Sequence, residues 1–131
     1  MDRINNKIIM SVLSICLLLA LSAPVSAAEA GYVGYKLPRL KGNNYTGYHQ
    51  KATNDGYIRN IVENVSNTST VNFWAQDHSG AISSKYNQKV GSVAKINFNT
   101  NKDKGNSIRM AMENGKTSTG YAFVAGRVDF R

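Results

Sequence analysis

The sequence predicts an all-β protein: a single small antiparallel β-sandwich of about seven to eight strands after an N-terminal export signal. Three observations carry that prediction. Short apolar stretches are separated by polar turn clusters, apolar and polar residues alternate with period two inside the stretches, and no proline follows Pro38 to interrupt a ladder.

In chain order, Tyr32 to Leu37 and Tyr45 to Thr53 are the first expected strands. Tyr57 to Val65 carries two patterns. Ile58, Ile61, Val62 and Val65 fall at helical spacing after Asn54-Asp55-Gly56, but β-branched residues and two asparagines favour a strand. Val71, Phe73 and Ala75 alternate with Asn72, Trp74 and Gln76, so one set points inward, and Asp77-His78-Ser79-Gly80 turns the chain. A further strand is expected around Ile82 to Val90. Ala94, Ile96 and Phe98 alternate with Lys95 and Asn97 until the polar run Asn99 to Asn106, read as a hairpin turn. Ile108, Met110 and Met112 alternate with Arg109 and Glu113 before Asn114-Gly115, a strong turn dipeptide. In the last strand Tyr121, Phe123 and Ala125 share one face, Ala122, Val124, Val128 and Phe130 the other, and Gly126 marks a bulge or bend.

Residues 1–27 read as a secretory signal. Arg3 and Lys7 precede an apolar run from Ile8 to Leu21, and small residues follow it. The expected cut follows Ala27, with Val25 and Ala27 meeting the small-residue rule; cuts after Ala28 or Ala30 meet it nearly as well. A membrane anchor would need about 20 apolar residues, more than this run supplies. Cys16, the only cysteine, follows Ile15 inside the run, where a lipobox would need a small residue, so it reads as one more apolar side chain. The exported domain, residues 28–131, then contains no thiol, which excludes disulfides, thiolate metal sites and cysteine nucleophiles.

Arg3, Lys7 and Asp2 leave with the signal, so sixteen basic and eight acidic residues become fourteen and seven, a formal net charge of +7. Such a surplus draws in anionic partners, although it also serves solubility alone. The basic residues are spread along the chain, and no run of them marks a polyanion groove.

Three stretches together carry a family likeness: Gly42-Asn43-Asn44-Tyr45-Thr46-Gly47-Tyr48-His49-Gln50-Lys51-Ala52-Thr53-Asn54, Thr70-Val71-Asn72-Phe73-Trp74-Ala75, and Ile108-Arg109-Met110-Ala111-Met112-Glu113-Asn114 leading into Tyr121-Ala122-Phe123-Val124-Ala125-Gly126. With its export signal and length, the chain resembles the small exported proteins of Gram-positive spore-formers grouped as domain-of-unknown-function family 2712. The resemblance implies secretion and a small β-fold; it implies no catalytic residues, because that family has no assigned activity.

The residues offer little for catalysis. Asp77-His78-Ser79 places acid, base and hydroxyl side by side, but neighbours on a strand point to opposite faces, and a triad needs convergence in space. His78 reads as a turn residue. Asn101 to Asn106 alternates oxygen ligands as a calcium loop does, yet lacks the later bidentate Glu and carries Lys102 and Lys104. No phosphate-cradling glycine loop or nucleophile elbow is present. No enzyme activity, metal or cofactor is expected.

The candidate binding surface is the tyrosine and cation mixture of the N-terminal third: Tyr35, Lys36, Arg39, Lys41, Tyr45, Tyr48 and Lys51. Aromatic faces stack on sugars while cations hold phosphates, though tyrosines also simply suit half-buried strands. The expected protein is secreted, extracellular or cell-wall associated, non-enzymatic, and held to anionic cell-wall polymer or a membrane surface. Nucleic acid is the less favoured partner, and no integral membrane span is expected in the mature chain. The alternatives are a bacteriocin-like antimicrobial protein, against which stands the lack of a long amphipathic helix, and an extracellular structural or matrix component.

Overall fold

The computed structural model describes residues 29–131. The expected signal peptide and the expected cleavage positions Ala27 and Ala28 lie outside the described residues.

Those residues form an all-β sandwich with antiparallel pairing throughout. The strands are β1 (Glu29–Leu37), β2 (Asn44–Tyr45), β3 (His49–Gln50), β4 (Tyr57–Ser66), β5 (Val71–Asp77), β6 (Gly80–Ala81), β7 (Tyr86–Gln88), β8 (Val93–Asn97), β9 (Ser107–Asn114) and β10 (Ala122–Asp129). Seven of these ten exceed two residues, against the seven to eight strands expected. One sheet runs β1-β10-β4-β8. The other runs β2-β9-β5-β6, with β3 also pairing β9 and β7 also pairing β5. The ambiguous segment Tyr57 to Val65 is strand β4, because Ile58 and Val62 are fully buried against partners on two flanking strands.

The core lies between the sheets. Ile58, Val62, Ile96, Val124, Val128 and Phe130 of the first sheet meet Val71, Phe73, Ala75, Ile108, Met110 and Met112 of the second, as the period-two patterns require. A buried polar chain bolts the sheets together. The Tyr32 hydroxyl donates to Asn60 Oδ1 (2.8 Å), Asn60 Nδ2 to Gln88 Oε1 (2.8 Å), and Gln88 Nε2 to Ser92 Oγ (3.1 Å). Each group is satisfied, so the chain fixes how β1, β4 and β7 face one another without an orphan.

Two bulges flank β10. In β1, Val33 and Gly34 together oppose Ala125, with Gly34 at φ 62°. In β4 the register slips at Glu63, opposite the step from Ala125 to Gly126, where the sequence placed a bulge. The β1 bulge lets Tyr32 and Tyr35 both turn toward the core, their rings 5.8 Å apart, although they are three positions apart and would face opposite sides of a regular strand.

Several expected elements differ. Tyr45 to Thr53 breaks into β2 and β3, since Met110 N donates to Thr46 Oγ1 (2.9 Å) where a strand carbonyl would accept. Ile82 to Val90 shortens to β7 for the same reason: Ala75 N donates to Ser83 Oγ (2.8 Å). Asn114-Gly115 closes no hairpin, because β9 and β10 belong to different sheets; Gly115 N donates to Thr70 O (2.9 Å), and the close approach leaves no room for a Cβ. Asn99 to Asn106 likewise carries the chain from one sheet to the other. Asp77 to Gly80 is the hairpin turn, with Ser79 N on Asp77 Oδ1 (2.8 Å) and Gly80 at φ 128°.

Candidate functional site

The seven binding candidates separate into four places. Tyr35 packs on the core beside Tyr32. Lys51 is a correction to the expected set: it is only 2% exposed, and its Nζ donates to the carbonyls of Asp55 (2.5 Å) and Arg131 (3.0 Å). Burial pushes its ammonium below the ordinary lysine value, with the nearby Asp55 charge opposing that fall. Lys51 holds the segment from Lys51 to Asp55 against Arg131 and presents no charge to a ligand.

Tyr45 and Tyr48 roof the outer face of the second sheet. The Arg109 guanidinium carbon sits 3.8 Å from the Tyr45 ring centroid and 4.9 Å from that of Tyr48. Its Nε and Nη2 both donate to Gln76 Oε1 (3.1 and 3.0 Å). Tyr48 stacks on His78 at 4.1 Å and 20°. On the same outer face Trp74 is 4% exposed, with Lys85 Nζ 4.6 Å from its ring centroid and Lys85 paired to Glu113 (2.9 Å). The cations on these rings are themselves committed, Arg109 to Gln76 and Lys85 to Glu113, and Tyr48 is covered by His78.

Lys36, Arg39 and Lys41 are all exposed. Lys36 is the register partner of Phe123, and its Nζ lies 3.8 Å from the Tyr121 ring centroid. The Arg39 guanidinium approaches the same ring at 5.2 Å. Pro38, Arg39, Leu40, Thr119 and Tyr121 line an open pocket of about 520 Å³, with no carboxylate among them. A hydrogen bond from Leu40 N to Ser118 O (2.8 Å) ties its two walls together. Tyr121 and Arg109 are the residues that sequence reasoning left out. Tyr121 is 85 positions from Lys36, and only the antiparallel register of β1 on β10 brings them together.

The carboxylates are elsewhere, and most are occupied. Glu29 and Glu63 share Arg127 (3.2 and 2.6 Å), Asp55 and Asp129 share Arg131 (2.7 and 3.5 Å), Asp77 pairs with Lys102 (2.7 Å) and Glu113 with Lys85. Hydrogen bonds from Arg131 and from Lys102 hold the Asp55 and Asp77 carboxyls below the ordinary aspartate value. Asp77 is thus committed to Lys102 and the turn amide. His78 faces Tyr48. Among the described residues no three His, Asp, Glu or Cys side chains gather as a metal site would require, and no helix is long and apolar enough to cross a membrane.

No protein-family model matches the chain, and no curated protein matches it. Among solved structures it is similar to PirA (7% identity, TM-score 0.44, covering 84% of this chain and 98% of that one). It is similar also to the Yersinia pseudotuberculosis-derived mitogen (16%, 0.44, 77% and 86%). A third likeness is to a family two carbohydrate esterase from Clostridium thermocellum (11%, 0.44, 78% and 31%). At these identities and scores the likenesses carry no argument about what this chain does.

Proposed function

We propose that this is a secreted, non-enzymatic protein that associates with anionic polymers of the cell envelope, and that Lys36 and Arg39 at Tyr121, with Lys41 in the adjoining turn, form the contact. The reading is carried by one observation: two exposed cations flank one exposed aromatic ring at an open pocket lined by no carboxylate. An aromatic edge with paired cations suits a phosphate-bearing glycan, where the ring meets the sugar and the cations meet the phosphate. Support comes also from the disposition of charge. Six acidic residues pair with only four basic ones, Lys85, Lys102, Arg127 and Arg131, so the positive surplus resides on unpaired cations such as Lys36, Arg39 and Lys41. A pull-down of the chain from Ala28 onward on purified Gram-positive wall, with and without its teichoic acid, tests the proposal. Recovery should fall sharply on wall stripped of teichoic acid; equal recovery on both would refute it.

A further inference from the structure

The cations around Tyr121 border a contiguous apolar surface that the charge reading leaves unexplained. Leu40 is 68% exposed and Val33 85% exposed, and between them lie Tyr121 and Phe123, about two-fifths exposed. The surface is continuous. Val33 and Phe123 line one shallow groove of about 220 Å³, Phe123 and Tyr121 are two residues apart on one face, and Tyr121 and Leu40 line the larger pocket.

Both extremes of this surface are built by unusual backbone. Val33 is thrust outward by the β1 bulge, beside Gly34 at φ 62°. Leu40 and Lys41 both adopt left-handed conformations, at φ 56° and 57°, in a tight turn closed by Gly42 N on Arg39 O (3.1 Å). Two consecutive non-glycine residues in that region are strained, and the strain presents a leucine to solvent rather than burying it. A soluble role gives no return for that geometry.

We infer that this end of the sandwich docks on an anionic lipid surface, with Leu40, Val33 and Phe123 entering the interface, Tyr121 at headgroup level, and Lys36, Arg39 and Lys41 meeting lipid phosphates. Charge complementarity selects the partner. Every charged side chain lining the two grooves or stacked on Tyr121 is basic; the nearby Glu29, Glu63 and Arg127 cluster, two carboxylates on one guanidinium, keeps one negative charge but lines neither groove. Exposed aliphatic and aromatic side chains ringed by cations match a bilayer boundary, where apolar burial and attraction to anionic headgroups add. A soluble polymer would use the cations and leave Leu40 and Val33 in water. The inference rests on the proposed polyanion contact for its charge and adds the apolar contribution.

Vesicle co-sedimentation of the chain from Ala28 onward tests it. The probes are phosphatidylglycerol–phosphatidylcholine vesicles, pure phosphatidylcholine vesicles and soluble teichoic acid. The protein should sediment with the anionic vesicles and not the neutral ones. Val33→Ser, which lies outside the Tyr121 pocket, should weaken vesicle binding about tenfold, the scale of one lost aliphatic side chain, while leaving teichoic acid binding unchanged. Leu40→Gly should weaken vesicle binding to a similar degree, and glycine tolerates its left-handed backbone, so this variant stays folded. Neutralising the three cations should weaken vesicle binding by about fivefold for each. Teichoic acid binding without vesicle binding, or vesicle binding indifferent to both Leu40→Gly and Val33→Ser, overturns the inference and leaves the polymer reading standing. Leu40-dependent vesicle binding without teichoic acid binding does the reverse.

Discussion

Gly126 lacks a Cβ where the Tyr32 ring crosses it: a Cβ there would stand 2.7 Å from Tyr32 Cζ and closer still to the Ile61 carbonyl. Tyr32 is the cross-strand partner of Gly126, and passing over it is what lets the hydroxyl reach Asn60. Gly126→Ala should therefore destabilise the fold by about 1–3 kcal/mol, the range for overpacking a tight site, read as a lower urea midpoint. Tyr32 also sets the alkaline limit. Burial pushes its phenol well above the ordinary value of 10.0, against the lowering pull of Asn60. A group with a raised folded pKa contributes stability in full below its unfolded pKa and loses it above, so stability should begin to fall as pH passes about 10. Lys51, with its lowered folded pKa, acts in the opposite sense, favouring the folded state as pH rises toward 10.5. Tyr32→Phe should separate the two. It should lower stability at pH 7 by about 1–3 kcal/mol, because Asn60 loses its donor, and flatten the alkaline loss seen by circular dichroism.

At the scale of the element, Thr46 and Ser83 play matching parts on opposite edges of the second sheet. Each hydroxyl accepts a strand N–H, from Met110 and Ala75, at the point where a short edge strand leaves the ladder. Thr46→Val and Ser83→Ala should each cost about 1–3 kcal/mol, since a buried donor is left unpaired; a change under half of that in denaturant titration would show that water replaces the hydroxyl. The same two sites explain which strands were legible in the sequence. β5, β8, β9 and β10 follow from side-chain alternation, which records burial directly, whereas β4 carries a helical spacing and reads as a strand from its β-branched residues. Edge segments broken by a hydroxyl keep an apolar or aromatic content suited to strands, and nothing in the alternation announces the break. Turn chemistry is legible in kind and not in use. Asn114-Gly115 and Asp103 to Asn106 are turns, yet both carry the chain between sheets, and only the Asp77 to Gly80 turn joins strands that pair. A dipeptide specifies local backbone conformation, whereas sheet membership depends on the packing of distant strands.

Over the whole molecule, the excess of cations was legible as a number but its placement was not. The N-terminal tyrosines and cations are neighbours in sequence, yet β1 passes to the second sheet at β2, so Tyr45 and Tyr48 settle around Arg109 while Lys36 and Arg39 remain at Tyr121. Lys51 followed the chain into the interior. On the proposed function, polyanion binding is local, at Lys36, Arg39 and Lys41, and not a property of net charge. The most direct measurement is the salt dependence of teichoic acid affinity for two triple variants: Lys36→Gln, Arg39→Gln and Lys41→Gln together, and Lys89→Gln, Lys95→Gln and Lys104→Gln together. Both remove three exposed charges outside ion pairs, and Lys95, on β8, lies at the edge of the first sheet opposite β1. With a slope of about −0.7 per phosphate contact, as for single-stranded polyanions, three contacts weaken binding roughly 20-fold between about 50 and 200 mM salt. The first variant should lose most of that dependence together with its low-salt affinity, and the second should keep both. Equal losses in the two variants would contradict the account.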